Sequence, residues 1–309
     1  GRWVRYRAGP FEILTNASER EGRETLYALE QIRHALGSVL GEKELRSLWP
    51  IRIVLFDSDR EYAAGLALAR DAFTGAARAK MPLAGATLRD CARILIVSTM
   101  NRLPEDLEKG IAAVFSTATT AGSRVTLGQP PSESERDVAW ATFHMLAVTP
   151  DYFGKLRVLA HNLNEGAAAE PAYRNAFAKT PEAIHKEALA YLEAGNFPTV
   201  SVLGRVIRTE KEFAVARLED WAVQIALADL LLADPSRRSE AGAAYQAVLK
   251  TSPDSPEAME GRGLVELLAG RKEEARKNLS AAVAAGGASA RAFLEYALLE
   301  PEPVKAKTA

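Results

Sequence analysis

The sequence holds one cysteine, Cys91, four histidines and almost no net charge, and each shortage removes a class of function. One thiol cannot make an internal disulfide framework or a cysteine-rich zinc site. Lysine and arginine number 39 against 40 aspartate and glutamate, a formal net charge of -1, so no long-range field draws the chain to nucleic acid or anionic lipid. No apolar run reaches the ~18 residues that a bilayer-spanning helix needs. The opening GRWVRYRAG carries charge without the apolar centre of a signal peptide, and a start at Gly1 rather than Met suggests a trimmed or mature product. The chain therefore reads as soluble, with no membrane span and no nucleic-acid partner. Neither GxxxxGK[ST] nor GxGxxG occurs, which leaves nucleotide cofactors without support.

What is present divides in two. A chain of 309 residues exceeds the size at which one core stops growing, about 250 residues, so two units are expected. WVRYRAGPFEILTN alternates and reads as two short strands broken at Gly9-Pro10. From Ala17 to Leu40 the residues Leu26, Leu29, Ile32, Leu36 and Leu40 recur at helical spacing, with Asn16 or Ser18 as the cap. PIRIVLFDS is a short apolar run fit for a buried strand. Residues 59–80 read as a helix from Asp59 followed by an ill-defined connection. Thr87–Met100 and Pro104–Thr117 form a helical hairpin, SRVTLG a strand, and Ser134–Val148, Pro150–Asn162, Pro171–Phe177 and Pro181–Leu192 four further helices. FPTVSVLGRVI looks extended.

Beyond Glu219 the chain is rich in alanine and leucine and helical. Ala241, Tyr245 and Val248 recur 34 residues later as Ala275, Leu279 and Ala282. That is the tetratricopeptide period, in which a small residue lets two helices approach and a larger one a turn later fills the gap. Gly263 takes the small position of the second unit's first helix, twelve residues before Ala275. Ala228 is one residue too early for the same role in the first unit, which places a one-residue insertion in ADPSRRSE. The predicted fold is α+β and mostly helical: residues 1–210 with a small sheet, 211–300 as tetratricopeptide-like hairpins, and 301–309 as a frayed tail.

LPEDLEKGIAAVFST is similar to the LPxWLNEGLAE segment that follows the HExxH helix in gluzincin-type zinc peptidases, and LRDCARILI falls where that family places HExxHLL. The chain resembles the bacterial branch in which such a domain precedes tetratricopeptide repeats. The resemblance covers roughly residues 10–200 and implies a metallopeptidase-like helical core and an extracytoplasmic location. In that family two histidines and a glutamate bind zinc, and the motif's own glutamate takes a proton from zinc-bound water. Here Arg89 and Arg93 match the histidines, Lys109 the glutamate ligand and Asp90 the general base. Three cations repel a divalent ion, and arginine does not lose its proton to become a ligand. Reading Glu108 in place of Lys109 supplies one carboxylate but no imidazole, since His34, His144, His161 and His185 include no HxxxH pair.

Other chemistry finds as little footing. Ser116 with His144, or Cys91 with His161, lacks an elbow motif or an oxyanion glycine run. Cys91 and His144 read as core residues, His144 with a satisfied ring nitrogen. Asp90 with Arg93, and Asp106 or Glu108 with Lys109, read as a surface charge network closing an empty cleft. The alternative is a basic pocket of Arg89, Arg93 and Lys109 for a carboxylate or phosphate. The sequence thus points to a non-catalytic interaction or scaffold protein that uses no cofactor and no metal, binds a protein or peptide and has the option of self-association. The competing reading is an enzyme of a non-metal class acting on an anionic substrate at the former zinc cleft.

Overall fold

WVRYRAGPFEILTN turns back on itself at Gly9-Pro10, pairing Val4–Ala8 (β1) antiparallel with Phe11–Thr15 (β2) from Val4↔Thr15 to Ala8↔Phe11. The computed structural model describes residues 3–58, 74–286 and 289–300. Glu19–Leu40 forms α1, and Ser18 rather than Asn16 caps it. Its hydroxyl oxygen accepts the Glu21 N–H at 3.3 Å and donates to the Glu21 carboxylate at 3.1 Å. One of the backbone N–H groups left open by the first turn is answered this way. The helix returns the chain so that Ile51–Phe56 (β3) runs parallel to β2.

Thr74–Arg78 is a strand, β4, parallel to β3, which corrects the reading of this stretch as a loose connection. TGAAR has a single β-branched residue, Thr74, and no apolar alternation, because its first four residues are buried on both faces, where small side chains fit. The helix expected from Asp59 and the tail 301–309 lie outside the described residues.

A helical body follows: Gly85–Thr99 (α2), Glu105–Phe115 (α3), Val138–Val148 (α4), Leu156–Asn164 (α5), Ala169–Phe177 (α6) and Pro181–Ala194 (α7). The α4 helix starts later than expected because Asp137 caps it, accepting the Trp140 N–H at 2.8 Å, and residues 133–135 form a separate 3-10 turn. Two short strands sit between α3 and α4, Thr119–Ala121 (β5) and Arg124–Leu127 (β6). Val200–Leu203 (β7) joins them in an antiparallel sheet of order β5-β6-β7. Buried Gln31 of α1 holds the chain leaving β7, donating to the Arg205 carbonyl at 2.6 Å and accepting its N–H at 2.9 Å. After the short helix Thr209–Glu212 (α8), Ala214–Arg217 (β8) pairs with β1 and completes the main sheet, order β4-β3-β2-β1-β8. This strand lies past residue 210, where composition placed the end of the first unit.

The rest is helical: Asp220–Ala233 (α9), Arg238–Thr251 (α10), Pro256–Leu268 (α11), Lys272–Ala285 (α12) and Ala290–Leu299 (α13), each packed on the next. The chain is therefore α+β and mostly helical. Ala228, Ala241, Tyr245, Ala275 and Leu279 are all fully buried. At Gly263 an added Cβ would stand 2.6 Å from Leu279 Cγ, so the absence of a side chain sets how closely α11 and α12 meet. Four residues, 234–237, join α9 to α10, against three, 269–271, between α11 and α12; the extra residue lies in ADPSRRSE.

The main sheet is covered on both sides. Tyr6, Phe11, Ile13, Ile53 and Leu55 face α1 and the helical body. Leu14, Val54, Phe56 and Ala76 face Ala226 and Leu230 of α9. That second face also carries a cross-strand row of charge, Arg7 opposite Glu12 and Glu12 opposite Arg52. Glu12 is 2% exposed, ion-paired to Arg7 and 3.4 Å from Arg52 Nε, while Arg52 Nη1 reaches Asp229 of α9 at 2.7 Å. Tyr245 of α10 donates its hydroxyl to the same Asp229 at 2.6 Å. Burial alone would raise the Glu12 carboxyl, but Arg52, Arg7 and Arg5 hold it below the usual carboxylate range.

Arg52 thus meets two carboxylates at once; at Asp229 burial outweighs it and raises the carboxyl, although Arg52 and the Tyr245 hydroxyl pull the other way. Its side chain is 30% exposed, so the pair is only partly shielded from water. Arg52→Met leaves both carboxylates without their shared cation and should cost about 2–3 kcal/mol in a urea titration, whereas Asp229→Asn leaves Arg52 on Glu12 and should cost under about 1 kcal/mol. Equal costs would show that Arg52 does not bridge the two.

Candidate functional site

The hairpin of α2 and α3 carries every residue that the peptidase resemblance singles out. Arg89, Asp90 and Arg93 stand on α2, and Glu108 and Lys109 on α3. The hairpin is positioned by close approach: a Cβ at Gly110 would lie 2.3 Å from the Ala139 carbonyl oxygen, so α3 rests backbone to backbone on α4. The buried faces of the two helices, Leu88, Cys91 and Leu95 with Leu107, Ile111 and Phe115, belong to the main core.

Two of the charged residues take partners of their own. The Arg89 guanidinium meets Glu135, on the 3-10 turn before α4, at 2.6 Å. Ser132 donates to the other oxygen of Glu135 at 2.7 Å, and together Arg89 and Ser132 hold that carboxyl below its usual range. Lys109 pairs with Glu105 one turn earlier at 2.9 Å, rather than with Asp106 or Glu108 as the sequence suggested. Glu105 raises the Lys109 ammonium, while burial, and then Glu105, raises Glu108. Arg89 and Lys109 thus each pair with a carboxylate outside the set expected from the sequence.

Two cavities flank this region, and neither is lined by Arg89, Asp90 or Arg93. The larger, about 820 Å3, runs between the first turns of α1 and the segment 80–83. Its floor includes Ala28, Ile32, Leu83 and Leu88, and its rim includes Glu21, Glu24, Lys80 and Thr120. The second, about 540 Å3, is lined by Asp106, Lys109, Asp137, Tyr173, Glu182 and His185 among others. The N-termini of α3, α4, α6 and α7 meet there, and each places a carboxylate in its cap or first turn, Glu105, Asp137, Glu170 and Glu182. Those carboxylates answer the positive helix ends within the chain.

The candidate nucleophiles and bases are engaged in packing. Ser116, 5% exposed, donates to the Ala113 carbonyl at 2.7 Å and makes no pair with His144. Cys91 is buried, and burial, with Asp90 nearby, pushes its thiol up to about 12, far from the thiolate that attack requires. His144 is fully buried with both ring nitrogens used, 2.9 Å from the Gly128 carbonyl and 2.8 Å from the Tyr191 hydroxyl. A carbonyl only accepts, so Nε2 carries the proton and Nδ1 accepts from Tyr191, which fixes the neutral tautomer. Gly128 makes room for this at φ +94°, with an added Cβ 2.7 Å from the Pro198 carbonyl. Trp140 and Phe197 close the ring of aromatics around the imidazole, with centroids 4.7 and 5.8 Å from it.

Among the described residues, no group of three or more His, Cys, Asp and Glu side chains is placed to hold a metal ion. A guanidinium paired to Glu135 and an ammonium paired to Glu105 do not fit the chemistry of zinc ligands. The polar centre that the sequence reading missed is the Glu12, Arg52 and Asp229 bridge. Its signal was present in FEILT and IRIVLF, two otherwise apolar strands with one charge each, since a charge buried in a strand requires a partner. No protein-family model, curated protein or solved structure matches the chain.

Burial holds the His144 ring below the ordinary histidine pKa despite the Gly128 carbonyl, so the folded chain keeps it neutral. Unfolded, the ring takes a proton near ~6.5. Stability is therefore complete above that pH and falls as the pH drops through it, because the unfolded state binds the proton. His34, lowered by burial and by Arg205 and Arg33, adds in the same sense. Denaturation at pH 7.5 and 5.5 should show a loss that is smaller in His144→Phe than in wild type; an equal loss would mean that the buried ring titrates normally. Gly110→Ala should cost about 2 kcal/mol by urea titration, since the Ala139 carbonyl cannot retreat; an unchanged midpoint would contradict the close approach of α3 and α4.

Proposed function

We propose that this protein is a non-catalytic interaction or scaffold component, a pseudo-peptidase-like body joined to tetratricopeptide-like hairpins. The observation that carries the reading is how the reactive side chains are spent. Arg89 and Lys109 stand at ligand positions of the resemblance but hold Glu135 and Glu105. Ser116, Cys91 and His144 are buried in structural hydrogen bonds or apolar packing. With a guanidinium and an ammonium at the ligand positions, there is no imidazole pair to hold zinc and its hydroxide, and a neutral histidine bonded at both nitrogens cannot serve as a general base.

Two open concavities of about 820 and 540 Å3 offer ground for a peptide, with apolar floors and mixed-charge rims of the kind that protein contacts use. The pairing of Arg89 with Glu135 and of Lys109 with Glu105 neutralises two of the three cations that the competing reading of a basic pocket for an anionic substrate requires. Protein stripped of metal, reloaded with zinc and desalted should retain far less than one equivalent by elemental analysis. A full equivalent of tightly held zinc would overturn the proposal, as would zinc-dependent cleavage of a peptide library.

A further inference from the structure

We draw no further inference here: the strongest candidate, the open face of α13 at the end of the helical array, where Leu298 is 72% exposed although Leu264 at the matching place on α11 is 5% exposed, is an apolar face for which nothing in the structure shows what covers it.

Discussion

Arg52 is the point on which the two parts of the chain are hung. Its guanidinium lies between Glu12 of the neighbouring strand and Asp229 of the first array helix, so one cation serves both sides of the junction. Withdrawing such groups from water costs several kcal/mol per ion, and the cost is offset only when all the partners are in place. The sheet alone would present Glu12 and Arg52 on an apolar face, and the array alone would present Asp229 and the Tyr245 hydroxyl. Docked, they satisfy one another. Tyr245 is also the residue that fills the gap between array helices, so packing within the array is tied by one hydrogen bond to the sheet.

A similar economy governs the helical body. Arg89 is paired to the adjoining turn and Lys109 along its own helix, and the converging helix ends are met by carboxylates of their own caps or first turns. His144 sits neutral in an aromatic ring of neighbours, its tautomer set by one carbonyl. The result is a surface with concave ground and an interior in which the imidazole of His144 and the hydroxyl of Ser116 are taken up by packing and hydrogen bonds.

Periodicity made much of this fold legible in the sequence. The α1 stripe, the apolar run of β3, the α2–α3 hairpin and the 34-residue spacing of Ala241 and Ala275 each announce an element through the burial it requires. The small residues of β4 gave no such sign, because a strand covered on both faces by close neighbours needs neither bulk nor alternation. Of the candidate site, the core roles of Cys91 and His144 could be read from their apolar surroundings. The Glu105–Lys109 pair was open to the same reading, because Glu105 and Lys109 stand four apart on one helix, whereas the Arg89 partner Glu135 lies 46 residues away and depends on the tertiary fold.

The return of β8 to the edge of β1 makes the main sheet a long-range closure. Val4 pairs with Arg217, so the first strand of the chain waits for a partner more than two hundred residues downstream, and the apolar face of Leu14, Val54 and Phe56 waits longer still for α9. During synthesis from the N-terminus that face remains uncovered until the first array helix has emerged, a long-range closure of the kind that slows folding and exposes sheet to wrong contacts. The array helix is in this sense the last layer of the sheet's own core. The border between the two parts of the chain is a border of shape, and packed core runs across it.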